Sequence, residues 1–314
     1  RRAKEHKEES SSKGRRFTVS MAVPGSVIDN TQTMELATAV AGQIARTAAI
    51  FNVDEVIVID DSKNGSPGAI SAGTAFLARI MQFMETPQYL RRNLIPMHKD
   101  LRLAGMLPPL DAPHHMRATE WCKYREGMVV RTDGHNSFCD VGLDKEAVVE
   151  ETLPASTRLT LDLGDKPSSR PMGSAGTEVL RAKAVPLSEP REIAGLYWGY
   201  TVRIATGLSG LIDDCPYEGG YDMTVGTSEH GFKGSPDTLE LSPFKHLLVA
   251  FGGLNGLEEC LQHDANLVQS DPRDVFGVYV NTCPDQGSRT IRTEEAVLIS
   301  MSYLQTAIHR FGQR

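Results

Sequence analysis

Three glycine-bearing segments carry the residue types best suited to hold a small ligand. They are Gly226-Thr-Ser-Glu-His-Gly231, Phe251-Gly-Gly-Leu-Asn-Gly-Leu-Glu258 and Asn281-Thr-Cys-Pro-Asp-Gln-Gly-Ser-Arg-Thr-Ile-Arg-Thr-Glu-Glu295. Each directly follows a β-like run, over residues 221–225, 246–251 and 275–280. Glycine lets a backbone approach a ligand closely and offers N–H groups with no side chain in the way. In open α/β sheets, ligands bind beyond the carboxyl ends of strands. One such turn says little; three of them point to a pocket. Glu229, His230 and Glu294 can handle protons there. Glu294 and Glu295 fit equally well in the first turn of a helix, where acids complement the macrodipole. Arg289 and Arg292 suit either a substrate clamp or hydrogen bonds within the loop. Cys283 can act as a nucleophile, although free cysteine more often serves as a small buried hydrophobe.

The elements that must position these loops follow from the periodicity. Residues 17–23 alternate like a half-buried strand and stop at Pro24-Gly25. Thr33 can cap a helix carrying Leu36, Val40, Ile44 and Ala48 at three-to-four spacing, with Arg46 on it. A buried strand over 56–59 ends in Asp60-Asp61; 62–73 reads as a loop, and 75–84 and 88–94 as helices. After Tyr197-Trp198-Gly199 the pattern resumes with a strand at 200–205, and a final helix runs from about 292 to 310. Strands alternating with helices predict a mainly parallel sheet. Residues 113–190 differ. Their short β-like runs (127–131, 147–150, 158–163 and 178–185) are spaced by Gly, Pro, Asp and Ser and predict a small all-β barrel. The expected organisation is an α/β domain of 17–112 and 191–314 with the β module 113–190 inserted. Residues 1–16, with seven Lys/Arg against three Glu, are expected to form a disordered basic tail.

Composition narrows the functions. The 314 residues, 40% hydrophobic, can bury a full core, and the formal charge of −7 argues against a passive RNA-coating protein. The β module itself holds ten Lys/Arg and twelve Asp/Glu, so RNA contact there must be local. Five dispersed cysteines without a Cys-x-x-Cys pair read as reduced thiols of an intracellular protein. No apolar run approaches the ~18 residues of a membrane span, and no signal peptide is recognisable, so no membrane association is expected. His114-His115 lacks a companion at ligand spacing, and adjacent histidines in a strand face opposite ways, so no metal is expected. Arg91, Arg92, Lys99 and Arg102 form either an RNA-facing patch or a solvated helix end; Trp198 reads as core.

The stretch Glu35 to Asp60, with Gly42-Gln-Ile-Ala-Arg-Thr-Ala48 inside it, resembles the opening motif of the SPOUT methyltransferases. The three glycine-bearing loops resemble the later motifs of that class, in the same order. The resemblance covers roughly residues 17–105 and 195–310. It is strongest to the subfamily with an inserted OB-like domain, found in archaea and eukaryotes, whose eukaryotic members are linked to spindles and kinetochores. It implies an α/β fold with a C-terminal trefoil knot, in which the last loop threads through the first. It also implies a bent S-adenosylmethionine held by the three loops and released as S-adenosylhomocysteine, a homodimer with the site completed across the interface, and an arginine, here Arg46, that approaches RNA. Carried over loop by loop, the cofactor residues are Gly226, Thr227 and Ser228; then Phe251, Gly252, Gly253, Gly256 and Leu257; then Asn281, Thr282, Ser288, Arg289, Thr290, Ile291 and Thr293.

Many ribose methyltransferases of the class have Ser-Leu-Asn-x-Ser in the last loop, where this chain has Ser288-Arg-Thr-Ile-Arg-Thr293. The expectation therefore moves from ribose 2′-O to a base nitrogen, uridine N3 among them, in structured RNA such as ribosomal RNA. Arginine keeps its proton, so Arg46 suits an RNA phosphate or a deprotonated ring better than the role of base; its alternative is an exposed helix residue paired with a carboxylate. Arg91, Arg92, Arg289 and Arg292 are the expected RNA contacts. A location in cytoplasm or nucleus, at spindles or kinetochores, is the matching expectation. The rival function is a non-catalytic scaffold that keeps the knotted fold. A Rossmann-type nucleotide enzyme is disfavoured, because no Gly-x-Gly-x-x-Gly follows the first strand.

Overall fold

A computed structural model describes residues 14–62, 69–172, 177–264, 266–267 and 270–313. Most of the predicted basic tail and half of the 62–73 loop lie outside the described residues. In chain order the strands are β1 (Thr18–Pro24), β2 (Glu55–Asp60), β3 (Tyr124–Thr132), β4 (Ser137–Asp140), β5 (Ala147–Val149), β6 (Arg158–Asp162), β7 (Ser169–Met172), β8 (Thr177–Arg181), β9 (Lys183–Val185), β10 (Thr201–Thr206), β11 (Met223–Lys233), β12 (His246–Ala250) and β13 (Val278–Asn281). The helices are α1 (Met34–Ile50), α2 (Ala72–Glu85), α3 (Gln88–Leu94), α4 (Glu189–Ala194), α5 (Gly207–Asp213), α6 (Gly256–His263), α7 (Pro272–Val275) and α8 (Thr293–Phe311). The described residues divide into two compact units: one drawn from Arg16–Met84, Lys99–Leu110 and 199–313, the other from 14–15, Glu85–His98 and Asp111–Trp198.

The first unit is built on a six-stranded sheet of order β10-β2-β1-β12-β11-β13, parallel throughout. Strands β1 and β12 are buried almost end to end, the mark of a parallel sheet covered on both faces. α1 starts where the Thr33 hydroxyl accepts the Leu36 N–H at 3.3 Å. Its buried face is small: Ala37, Ala41, Gly42, Ala45 and Ala48 around Ile44. A Cβ on Gly42 would lie 2.5 Å from Leu107 Cδ2, so that narrow face admits the 99–110 segment.

Two of the expected strand runs have other bounds in the fold. The run 221–225 does not end at Gly226. β11 continues to Lys233, and Thr227 and Phe232 both face Val280, so Ser228 to Gly231 bulge out of the ladder between them. The run 275–280 begins as helix, because the Asp271 side chain accepts the Arg273 N–H at 2.8 Å and Pro272 starts the turn α7. β13 therefore opens only at Val278.

The second unit carries a seven-stranded sheet of order β7-β8-β5-β4-β3-β6-β9, antiparallel except for β5 against β8. Val129, Cys139, Val149, Leu161 and Leu180 are among its core. The run 178–185 splits at Ala182 into two strands that pair with different partners. His114 and His115 sit in a turn, not a strand, so the opposite-faces expectation fails. Their Nε2 atoms reach the same Glu85 carbonyl at 2.9 and 2.6 Å. Trp198 is buried, its Nε1 donating to Glu126 Oε1 at 2.7 Å. Among the described residues no cluster of His, Cys, Asp and Glu is arranged to hold a metal, and no helix is long and apolar enough to cross a membrane.

Candidate active site

The carboxyl ends of β11, β12 and β13, adjacent in the sheet, open onto a cavity of about 390 Å³. This falls within the roughly 300–1,000 Å³ of small-molecule sites. Its wall comes from all three glycine-bearing loops and the start of α8. Hydrogen bonds tie the loops together. Asn281 Nδ2 donates to the Glu229 carbonyl at 2.9 Å, joining the third loop to the first. Thr293 Oγ1 donates to the Gly252 carbonyl at 3.1 Å, joining it to the second. Thr227 Oγ1 donates to the Ala250 carbonyl at 3.1 Å. The second loop turns at Gly252, where a Cβ would stand 2.3 Å from the Gly256 carbonyl carbon, and at Gly256, whose φ is +80°.

Of the residues expected to hold the cofactor, Thr227, Ser228, Phe251, Gly252, Gly253, Gly256, Asn281, Thr282, Arg289, Thr290, Ile291 and Thr293 line the cavity, as does Glu229. Gly226, Leu257 and Ser288 do not. Leu257 is fully buried in the core, and a Cβ on Gly226 would meet Phe276 at 2.7 Å, so both serve packing. Ser288 donates its hydroxyl to the Thr290 carbonyl at 2.8 Å and shapes the loop from within. Glu294 is buried in the first turn of α8 and Arg292 caps that helix; neither lines the cavity. Arg91, whose Nε donates to the Thr86 carbonyl, and exposed Arg92 belong to the other unit.

Arg46 also lies outside the cavity lining. Its Nη1 donates to the carbonyls of Pro109 and Leu110 at 3.1 and 2.5 Å, a tether for the 99–110 segment and not the carboxylate pair considered above. Arg46→Ala is expected to cost about 1–2 kcal/mol, read as a lowered denaturant midpoint, with Arg46→Lys intermediate. An unchanged midpoint would remove the tether from the account.

Residues that the sequence did not single out complete the wall: Leu254, Asn255, Glu258, Gln286, Ala296, Ile299 and Ser300. Glu258 Oε1 accepts from Tyr279 Oη at 2.7 Å and from Ser228 Oγ at 3.2 Å. Burial, and after it the Glu258 carboxylate, push the Tyr279 phenol upward, so it keeps the proton it donates. On the exposed bulge Glu229 Oε1 lies 3.7 Å from His230 Nε2, leaving a carboxylate and an imidazole beside the same cavity.

A polar cavity at the carboxyl edge of a parallel sheet defines a small-ligand-binding protein of α/β type. Residues 18–304 match the family described as "Putative RNA methyltransferase", and the chain belongs to it. It is 45% identical over 318 residues to the human 28S rRNA (uridine-N(3))-methyltransferase, spanning 98% of this chain and 82% of that protein. The mouse protein of the same name is 45% identical over 316 residues (97% and 80%), and that of Drosophila melanogaster 42% over 307 residues (92% and 62%). The chain is thus a methyltransferase with RNA as its substrate, and its chemistry requires a methyl donor.

Proposed function

We propose that this chain transfers a methyl group from S-adenosylmethionine to N3 of a uridine in ribosomal RNA. The observation that carries the proposal is the convergence of three loops, at the ends of β11, β12 and β13, on one cavity. The names of the human, mouse and fruit-fly relatives support the uridine N3 target, as does the departure from Ser-Leu-Asn-x-Ser in the last loop. The lining suits this donor. Backbone amides of the second loop can meet adenine edges, Phe251 and Ile291 offer apolar contact, and Glu258 is a carboxylate able to face a cation.

S-adenosylmethionine supplies an electrophilic methyl for in-line displacement. The protein's part is to fix geometry, and alignment of this kind can contribute several kcal/mol. The tied loops hold their backbone groups in place before any ligand arrives, through Asn281 to Glu229 and Thr293 to Gly252. Uridine N3 must lose its proton, and Glu229 with His230 stands at the cavity to accept it. Arg289, also in the lining, offers positive charge to the ring anion left behind.

We extend the proposal to a trefoil knot made by residues 281–295 threading past the first loop; the cross-ties just described support it. We further propose a homodimer with its sites completed across the interface, which would bring Arg46 to RNA, and an OB-like role for the β unit in selecting that RNA. The test is to incubate the chain with methyl-labelled S-adenosylmethionine and unmodified ribosomal RNA, then analyse the nucleosides by mass spectrometry. The expected product is labelled 3-methyluridine. Label found only on ribose, or no label in RNA, would contradict the proposal.

A further inference from the structure

We propose that Glu258 binds the methyl donor directly, through Oε2, by accepting a hydrogen bond from an ammonium or hydroxyl group of the ligand. This deepens the assignment of the cavity to S-adenosylmethionine and rests on it. The two oxygens of this one carboxylate are placed differently. Oε1 is engaged by Tyr279 and Ser228, which fix the side chain beside the cavity. Among the described residues the hydrogen bonds to this carboxylate are those two, both at Oε1, and none reaches Oε2. A carboxylate oxygen in a cavity wall with no protein donor offers a ligand's hydroxyl or ammonium a charge-assisted acceptor.

The neighbouring glycine sharpens the assignment. A Cβ on Gly256 would lie 2.4 Å from Oε2, so the missing side chain is what leaves that oxygen its place. Gly256 has φ +80°, a conformation that already favours glycine, and here the same residue also keeps the carboxylate unobstructed. The rest of the wall holds neutral polar groups, apolar side chains, Arg289 and the exposed Glu229 and His230. Glu258 is thus the acid in the wall whose position is fixed by hydroxyl donors, and a fixed acceptor can discriminate among ligands.

Calorimetric titration tests this with wild type, Glu258→Gln and Tyr279→Phe, using S-adenosylmethionine, S-adenosylhomocysteine and methylthioadenosine as ligands. Glutamine keeps the volume and one acceptor but turns the other oxygen into a donor. Glu258→Gln is expected to weaken S-adenosylmethionine and S-adenosylhomocysteine by about tenfold to a hundredfold. Tyr279→Phe, which removes a brace but keeps the carboxylate, should lose less than about threefold. Methylthioadenosine retains the ribose hydroxyls and lacks the ammonium. An equal loss for it assigns the contact to the hydroxyls, and no loss assigns it to the ammonium. Wild-type affinity in Glu258→Gln, or an equally large loss in Tyr279→Phe, would overturn the proposal while leaving the donor site intact. A folded wild type that binds none of the three ligands would overturn the donor site itself, and this contact with it.

Discussion

Gly252→Ala should weaken S-adenosylmethionine binding by about a hundredfold, whereas Gly253→Ala, one residue on, should lose far less. At position 252 the new Cβ would lie 2.3 Å from the Gly256 carbonyl carbon and 2.4 Å from the Leu257 nitrogen. Both are backbone atoms and cannot swing aside, so the turn itself must open. That turn is closed by the Gly256 N–H donating to the Gly253 carbonyl at 3.1 Å. It also carries the Gly252 carbonyl that Thr293 uses to hold the third loop. One methyl group therefore disturbs two of the three loops, and overpacking of about 1–3 kcal/mol translates into one to two decades of affinity. At position 253 the nearest atoms are Ser26 Oγ at 3.2 Å and Pro24 Cγ at 3.5 Å, contacts that small side-chain shifts relieve. Titration calorimetry on both variants decides the matter. Equal losses at 252 and 253 would show that the turn does not shape the donor site.

The other large effect falls in the β unit. Arg158 donates two hydrogen bonds to Glu85, at 2.6 and 2.8 Å, and a third from Nε to Glu126 at 2.7 Å. Glu126 also accepts from Thr160 at 2.6 Å and from Trp198 at 2.7 Å, while His114 Nε2 lies 3.1 Å from Glu85 Oε1. Both carboxylates are buried. Removing one partner of such a network strands the others, so Glu85→Ala should cost about 3–5 kcal/mol. Burial pushes the Glu85 carboxyl up, but the charge and hydrogen bonds of Arg158, with His114 behind them, hold it down at about 2. A carboxyl lowered in the folded state stabilises above its unfolded value near 4.5. That contribution, about 3 kcal/mol, is lost as pH falls from 4.5 towards 2. Burial, and then His114, lower the His115 imidazole to about 4 from 6.5. Its unfolded form takes up protons first, so stability already declines as pH falls from 6.5 to 4. Trp121 and Trp198 both belong to this unit and are the only tryptophans in the chain, so their fluorescence reports its melting. Wild type should become acid-labile in these two windows, and Glu85→Gln should lose most of the lower one. An identical acid profile in that variant would remove Glu85 from the cause.

What the sequence made legible was local. The three loops could be found because glycine clusters at strand ends are a short-range pattern, and their adjacency follows once the strands are ordered β12-β11-β13. The bulge at Ser228 to Gly231 was hidden because register against β13 depends on a strand some fifty residues away. Strands β4 and β7, Ser-Phe-Cys-Asp and Ser-Arg-Pro-Met, are too short and polar to show a period of two. Glu258 carries no local mark of a site, because an acid in a helix's first turn has a sufficient reason to be there. The true partners of Arg46 lie 63 and 64 residues further along the chain, and Arg158 meets Glu85 across 73. Neither pairing leaves a trace in local spacing. The family motif around Arg46 said what such an arginine does in relatives, and nothing about which carbonyls hold it within this chain.

If the three loops form one methyl-donor site, hydrogen–deuterium exchange with and without S-adenosylmethionine will show them responding as a unit. Exchange should slow in residues 226–231, 251–258 and 281–295 together, at the same ligand concentration, with the β unit unchanged. Ligand binding that leaves those amides unprotected, or protects only one of the loops, would contradict it.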